Sequence, residues 1–490
     1  MTDRVTLRDV AEALRSAQLL VEARGAVDVT VRGVSQDSRT ARAGDLFLAW
    51  RGTEADAHDF VAELASRGVV GAVVERPVDC ALPQLVVTDG RRAAALAADL
   101  VMGSPSSRMV VVGVTGTNGK TTTALLARHV LGTRRRAAAI GTLGVVDESG
   151  VRPGTEGLTT PGPVQVAVWL WELANGGVEA VVMEASSHAL EQRRLDGVRF
   201  DVGAFTNLSV DHLDYHRDLA SYFGAKARLV DLVDPEGTLV VNREDRAWDE
   251  LDARGRALKT FAIDQVADVR AERLKLGATG STFTLCVDGH EAPVRLPLLG
   301  AYNVENALAA AAIAVSLGVG PEEIARALET APQIAGRLEV VVTRPCTVII
   351  DFAHTADALE GVLSAVRPLA RGRLIVVFGA GGDRDRTKRR PMAEAVGKYA
   401  DVIVITSDNP RTEDPEKILD DLASGLEGRD FLREPDRRVA IKHALAEAHT
   451  GDTVLLAGKG HETYQVIGRD KVPFDERAIV RDCLVELGVA

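Results

Sequence analysis

The chain has 490 residues, of which 46% are hydrophobic and only 4% aromatic, and its formal net charge is −12 at pH 7. That length suggests about three domains with cores of Val, Leu, Ile and Ala, and the acidic balance argues against a general nucleic-acid binder, which presents basic surface. Cys80, Cys286, Cys346 and Cys483 form no CxxC pair, so neither a disulfide framework nor a zinc site is indicated, and a reducing, cytoplasmic setting fits. The opening MTDRVTLRDV lacks the apolar run of a signal peptide, and no apolar stretch reaches membrane-spanning length.

Residues 1–106 read as a small α/β unit. Helices are expected over 6–16, 58–67 and 91–102, and strands over 47–49, 69–75 and 82–87. The segment DSRT (37–40) offers short polar side chains and one arginine in a loop. Turn and capping chemistry is one reading of it; a contact to an anion or ligand is the other. GSPSS (103–107) is a natural linker.

The second unit, 107–335, opens on MVVVGVTGTNGKTTTALLARHVL (109–131). A valine-rich strand over 109–114, a glycine loop and a helix from about residue 121 form the context of a phosphate loop. Backbone N–H groups in such a loop face phosphate oxygens, and the helix N-terminus adds its positive end. Lys120 can place a charge between the outer phosphates, and Thr121 can offer a hydroxyl to Mg²⁺. Val114 stands where the usual consensus has glycine, so GTNGKTT (116–122) satisfies a variant of the motif. Further strands are expected over 137–140, 179–183, 201–205 and 238–241. A helix holds Trp169 and Trp171, read as packing residues, and another over 219–232 carries Lys226. Residues 267–298 alternate in short runs and suggest an antiparallel region. An alanine-rich helix follows GAYN (300–303), and a further helix covers 321–329.

The third unit, 336–490, has strands expected over 348–351, 374–378, 401–406 and 453–456, each running into a polar or glycine-rich loop. That is the pattern of a second open parallel sheet with ligands at its C-terminal edge. Glu184 and His212, both following strands of the central sheet, join Thr121 as a candidate Mg²⁺ group; a structural hydrogen-bonding role is the other reading of His212. Lys226 alone reads as a surface salt-bridge lysine. Arg384, Asn409, Arg411 and Glu462 mix both signs of charge, as an amino-acid substrate requires; loop salt bridges are the competing account. Together these groups suggest an ATP-using enzyme that phosphorylates a carboxylate and passes it to an amine.

The motifs GTNGKTT (116–122), TTP (159–161), EASSHAL (184–190), FTNL (205–208) and DHLDYH (211–216) occur in one chain with YN (302–303), GRLE (336–339), DFAH (351–354), GGDRD (381–385), DNPR (408–411) and GKGHE (458–462). In combination they resemble the Mur ligase family over essentially the whole chain. The resemblance implies an α/β protein of three domains: a uridine-nucleotide domain (1–106), a central P-loop ATPase domain (107–335) and a Rossmann-like C-terminal domain (336–490). It implies ATP bound by Gly116, Thr117, Asn118, Gly119, Lys120, Thr121 and Thr122, with Asn303, Arg337, Asp351 and His354 closing over the nucleotide. Mg²⁺, two ions in the expected arrangement, would be held by Thr121, Glu184, His212 and Lys226. Lys226 would be carbamylated to N6-carboxylysine, and Lys120, Lys226 and His212 would be catalytic. Ser38, Arg39, Thr159, Thr160, Ser187, Gln192 and Arg194 would hold UDP-N-acetylmuramoyl-L-alanyl-D-glutamate. Arg384, Asp408, Asn409, Pro410, Arg411, Gly458 and Glu462 would hold the diamino acid, with DNPR pointing to meso-2,6-diaminopimelate over L-lysine or L-ornithine. The implied reaction is amide formation through an acyl phosphate in peptidoglycan synthesis, by a monomer in the cytoplasm, with no nucleic-acid partner. The alternatives weighed are a folylpolyglutamate synthase-like ligase and a non-catalytic nucleotide switch. Gly162, Phe352, Ala356 and Arg193 depart from common family residues.

Overall fold

The computed structural model describes residues 5–52 and 55–489, with the backbone alone at Leu213 and Asp214; Met1–Arg4, at the head of the stretch read for a leader, lie outside it. The chain divides into two compact units, one made of Met1–Glu272, Thr284–Ala292 and Glu305–Ala327, the other of Arg273–Phe283, Pro293–Val304 and Leu328–Ala490.

The first unit begins with a five-stranded sheet in the order Leu20–Arg24, Gln84–Val87, Gly71–Val74, Asp45–Leu48, Gly33–Ser35. It is parallel except for Leu20–Arg24. The helix Leu7–Ser16 starts on a Thr6–Asp9 capping box, which satisfies two otherwise orphaned N–H groups. Sequence patterning missed both edge strands, and for different reasons. Leu20–Arg24 is exposed at four of its five positions, so it has no buried face to read, and Gly33–Ser35 is only three residues long. The helix expected over 58–67 is broken into two 3-10 turns around one α-turn, Val61–Leu64. His58, at its start, turns inward: its Nδ1 lies 2.5 Å from Asp56 Oδ1, and its Nε2 accepts the Glu75 N–H at 2.8 Å.

The central sheet of this unit is parallel through Val233–Asn242, Phe200–Phe205, Val110–Thr115, Ala180–Glu184 and Ala137–Gly141. Val110–Thr115 has neighbours on both sides and helices over its faces, which is why its sequence is a continuous apolar run rather than an alternating one. Gly113 belongs to this strand and not to the loop; a Cβ there would press on Leu229 and Phe200. The helix expected over 219–232 ends at Ala227, and a single turn, Leu229–Leu232, follows. Over 267–298 the short alternating runs form Val269–Gly277, Gly280–Val287 and His290–Leu296, and the last alternates out and in from Glu291 onward. Trp169 packs on the core of the sheet, whereas Trp171 is 39% exposed, so the packing reading holds for the first tryptophan alone.

The second unit carries a six-stranded sheet in the order Glu339–Val342, Thr347–Asp351, Thr453–Ala457, Leu374–Phe378, Val402–Ile405, Leu432–Arg433. Only the Glu339–Val342 edge is antiparallel. The four strands foreseen from the sequence are its inner strands, and their C-terminal ends lie on one edge, followed by DFAH, GGDRD, DNPR and GKGHE. Two fully buried arginines anchor the framework. Arg389 pairs with Glu413 and Asp421, and Arg437 with Glu476.

Candidate active site

Gly116 and Gly119 have φ of 146° and 84°, a region that disfavours side chains. A Cβ at either would also collide, with Thr206 Oγ1 at the first and Asn306 Oδ1 at the second. The end of the neighbouring strand braces the loop. Thr117 N–H donates to Asn207 O at 2.7 Å, Asn118 N–H to Asn207 Oδ1 at 2.8 Å, and Thr206 Oγ1 to Asn118 O at 2.7 Å. Lys120 Nζ folds back onto the Gly116 and Thr117 carbonyls at 2.9 and 2.8 Å. Val114 lies inside the buried strand, in register with Glu184 and Ala204; no bend occurs there, so no glycine is needed.

Thr121 Oγ1 donates to Glu184 Oε1 at 3.0 Å, and the Thr142 N–H donates to the same oxygen at 2.8 Å. Thr142 Oγ1 reaches Glu184 Oε2 at 3.2 Å and Thr159 Oγ1 at 3.1 Å. Glu184 is 2% exposed, and Gly141 packs so tightly on it that a Cβ would strike the carboxylate. Gly141 and Thr142 were not anticipated, although the position of their strand next to the Glu184 strand was the available signal.

Lys226 is not a surface lysine. It is 1% exposed, its Nζ donates to Gly116 O at 2.7 Å, and it lies 4.2 Å above the Tyr222 ring. Burial, then the charge of Lys120, push its ammonium well below the usual lysine range against a weaker pull from Asp211. His212 has φ 53° and an Nε2 3.6 Å from Asp211 Oδ2, and is about half exposed. Its ring lies 4.8 Å from His188 and 6.3 Å from Tyr222. Of the proposed metal group, then, Thr121 and Glu184 touch. Lys226 and His212 share the Tyr222 ring, and among the described residues neither bonds to Glu184.

The residues expected for the muramoyl peptide are mostly brought together. Thr160 Oγ1 donates to Glu184 O at 2.7 Å and accepts Ser186 N–H at 3.0 Å. Arg194 donates to Thr160 O at 2.8 Å and, through Nε and Nη2, to Gln192 Oε1 at 3.2 and 2.8 Å. Burial pulls its guanidinium down, and Arg91 adds to that. Ser187 Oγ lies 3.0 Å from His216 Nε2. Ser38 and Arg39 are not bonded into this network: the Ser38 carbonyl accepts from Arg67, and Arg39 pairs with Asp37 at 2.6 Å while 86% exposed. The loop that carries them does approach Gly162, where a Cβ would meet Gln36 Nε2 at 2.8 Å. The Gly162 departure therefore has a local reason: the Gln36 amide occupies the space a side chain would need.

In the second unit, Asp351 accepts the Leu338 and Ala353 N–H groups, both at 2.7 Å. Burial pushes its carboxyl up against the opposing pull of Arg337 and these amides. Arg337 lies 4.9 Å over the Phe352 ring, which also meets His354 and His461. His354 Nδ1 is 2.8 Å from Phe352 O, and burial lowers its imidazole. Asn303 donates to Leu299 O at 2.8 Å. Arg384 and Arg411 both flank Gly381. Arg411, at φ 53°, donates to Gly382 O at 2.8 Å. Arg384 is exposed and makes no hydrogen bond or ion pair among the described residues, so the loop-salt-bridge account fails for both arginines. Pro410 packs its carbonyl on Gly382, and Gly458, at φ 117°, donates to Asp351 O at 3.0 Å. Asp408 and Asn409 are buried. Glu462 Oε2 accepts from Asn409 Nδ2 at 2.9 Å and from Lys459 Nζ at 2.5 Å. Lys459 was not anticipated; its place between two glycines at a strand end was the signal for it.

A braced glycine loop at the end of a central parallel strand in one unit, and an open sheet with mixed-charge loops in the other, define a phosphate-loop α/β protein. The comparisons narrow this class. Residues 30–108 match the Mur ligase family, catalytic domain; 114–314 match the Mur ligase middle domain; and 336–460 match the Mur ligase, glutamate ligase domain. The chain is 41% identical over 466 residues to a UDP-N-acetylmuramoyl-L-alanyl-D-glutamate--2,6-diaminopimelate ligase of Geobacillus kaustophilus, covering 93% of this chain and 95% of the relative. It is 43% identical over 487 residues to the ligase of the same name from Geobacter sulfurreducens, with the same coverage. A solved structure bearing that ligase name superposes with a TM-score of 0.72 at 31% identity, covering 99% of this chain and 100% of the other. A Mycobacterium tuberculosis folylpolyglutamate synthase complexed with ADP shares the fold at 19% identity and a TM-score of 0.62, covering 74% of this chain and 91% of its own. The chain belongs to the Mur ligase family.

Among the described residues no helix is long and apolar enough to cross a membrane.

Proposed function

We propose that this chain joins meso-2,6-diaminopimelate to the D-glutamate carboxyl of UDP-N-acetylmuramoyl-L-alanyl-D-glutamate, with cleavage of ATP to ADP and phosphate, as a step of peptidoglycan synthesis. Similarity over 93% of the chain to ligases named for this reaction supports the reading. One structural observation carries it. The Arg411 guanidinium and the stem of Arg384 flank Gly381, and the same strand edge presents the Asp408 and Glu462 carboxylates. That pairing of signs matches a carboxylate beside an ammonium, the distal end of a diamino diacid. L-Lysine and L-ornithine have no distal carboxylate and would leave the arginines unpaired.

The domain bounds of the reading are 1–106, 107–335 and 336–490, and its four cysteines, none of them in a disulfide, suit a cytoplasmic enzyme. Ser38, Arg39, Thr159, Thr160, Ser187, Gln192 and Arg194 hold the UDP-muramoyl dipeptide. The substrate carboxylate attacks the γ-phosphorus of ATP, giving an acyl phosphate and ADP. The diamino acid's amine then attacks the acyl carbon, and the tetrahedral adduct collapses to amide and phosphate. Gly116–Thr122 amides and Lys120 oppose the negative charge that develops on the transferred phosphoryl group. Asn303, Arg337, Asp351 and His354 bind the nucleotide.

Thr121 Oγ1 and the Glu184 carboxylate are hard oxygen donors 3.0 Å apart, a set that suits Mg²⁺, and His212 completes it. Bound Mg²⁺ neutralises phosphate charge and orients the attacking oxygen. An ammonium is no ligand, so Lys226 fits only as N6-carboxylysine. Its burial favours the neutral amine that adds CO₂, and the carbamate replaces a cation beside Lys120 with an anion.

The test is phosphate release and UDP-tripeptide formation with ATP, Mg²⁺ and the UDP-muramoyl dipeptide, comparing diaminopimelate, lysine and ornithine. Product with lysine or ornithine alone overturns the specificity; no product with any amine overturns the reaction.

A further inference from the structure

Lys459 is fully buried, with 0% side-chain exposure. A buried ammonium is costly unless it is paired and hydrogen-bonded. Its Nζ donates to Glu462 Oε2 at 2.5 Å and to Asn409 Oδ1 at 2.9 Å. It lies 3.8 Å from Asp408 Oδ1 and 5.6 Å from the centroid of the Tyr464 ring. Asn409 Nδ2 donates to the same Glu462 oxygen at 2.9 Å, and its Oδ1 also accepts the Val466 N–H at 2.9 Å. One cation therefore ties the GKGHE loop to the DNPR loop.

Two carboxylates face this single ammonium. Glu462 Oε2 is filled by two donors, while its Oε1 accepts no hydrogen bond among the described residues. Asp408 Oδ1 is buried without a hydrogen-bond partner, although Asp408 is only 8% exposed. Gly458, whose missing side chain leaves its Cβ position 4.0 Å from that oxygen, keeps the approach open. The group has one negative charge in excess and two acceptor oxygens unfilled, the complement of one incoming ammonium.

We propose that Lys459 is a positioning residue for the amine end of the diamino-acid site. By filling Glu462 Oε2 and fixing Asn409, it leaves Glu462 Oε1 and Asp408 Oδ1 as the pair that receives the distal ammonium. With Lys459 in place, the two carboxylates retain the charge for one such group. The inference rests on the diaminopimelate reading and adds to it a residue that never touches the substrate.

The variant K459M keeps an unbranched side chain only one atom shorter and removes its charge. Losing a charge-assisted donor to a binding carboxylate corresponds to about 10- to 100-fold in affinity. The KM for diaminopimelate should rise by that factor in the full-length enzyme, with the KM values for ATP and the UDP-muramoyl dipeptide within about twofold of wild type. On an E462Q background K459M should add little, because Lys459 acts through Glu462. A pH series gives a readout that a merely structural role would not move. Glu462 faces Lys459 and His461 of its own loop and Asn409 of the DNPR loop, with Asp408 beyond Lys459. Burial pushes its carboxyl up, but Lys459, Asn409 and His461 outweigh that and hold it below the usual carboxylate range, with Lys459 the largest of them. As pH falls, the KM for diaminopimelate should therefore start to climb at a higher pH in K459M than in wild type, because Glu462 loses the charge that holds its carboxyl ionised. Lys459→Gln, which keeps a donor without the charge, serves if K459M does not fold, and a smaller rise in the same KM is expected. An unchanged KM for diaminopimelate in a folded variant, an equal rise for all three substrates, or additivity with E462Q overturns the inference alone. A wild-type enzyme that forms no amide with diaminopimelate overturns it together with the functional reading.

Discussion

Replacing Gly141 with alanine adds one methyl group at the end of the strand Ala137–Gly141 and touches no proposed catalytic group by chemistry. Gly141 does not have a left-handed φ, so the backbone accepts alanine and the effect is purely spatial. The new Cβ would lie 2.7 Å from Glu184 Cγ and Cδ, whereas non-bonded carbons rest about 3.5–4.0 Å apart. The carboxylate must retreat by roughly 1 Å, away from the Thr142 amide at 2.8 Å and the Thr121 hydroxyl at 3.0 Å. Each of these bonds to a charged acceptor contributes about 1.5–3 kcal/mol, and a displacement of about 1 Å in a positioned group can lower rate roughly 100-fold. We expect kcat/KM for amide formation to fall by about 100-fold and the half-saturating Mg²⁺ concentration to rise by at least about tenfold. The assay is phosphate release across a Mg²⁺ series, with a thermal melt to confirm that the fold survives. Wild-type turnover with an unchanged Mg²⁺ dependence would falsify the placement of Glu184 as a metal-holding group.

Two further expectations test other parts of the molecule. Lys226→Ala should lower turnover by at least about 100-fold, with partial recovery when small carboxylates are added to the assay; unchanged turnover excludes the carbamate role. Glu413, held down to about 2 mainly by the Arg389 side chain, is a depressed carboxyl. Its contribution of about 2–3 kcal/mol is present above the ordinary Glu value of 4.5 and lost as pH falls from there to about 2. Glu413→Gln should therefore be less stable at neutral pH and lose less stability across that acid window in denaturant titrations. An identical slope in both proteins contradicts the assignment.

The sequence by itself determined the strands whose both faces are buried. Val110–Thr115, Ala180–Glu184, Leu374–Phe378 and Thr453–Ala457 are apolar except at their ends, Thr115, Glu184 and Thr453, because helices or sheet neighbours cover them. It also determined the phosphate loop, because only glycine fits the φ values at 116 and 119. The motifs named Glu184 and Glu462, and the family resemblance added Lys226. Local pattern could not decide what surrounds them. Lys226 on its helix looks like any solvated lysine until the helix packs it against Tyr222 and the Gly116 carbonyl, residues 4 and 110 positions away in the chain. Gly141, Thr142 and Lys459 carried only the weak signal of their places at strand ends. The first two matter through Glu184, delivered by a neighbouring strand, and the third through Glu462 of its own loop and Asn409 of the DNPR loop. Burial and cross-strand register are properties of the assembled sheet. They turn a motif lysine into an amine that burial favours as neutral, and a loop lysine into the internal counter-charge of a binding site.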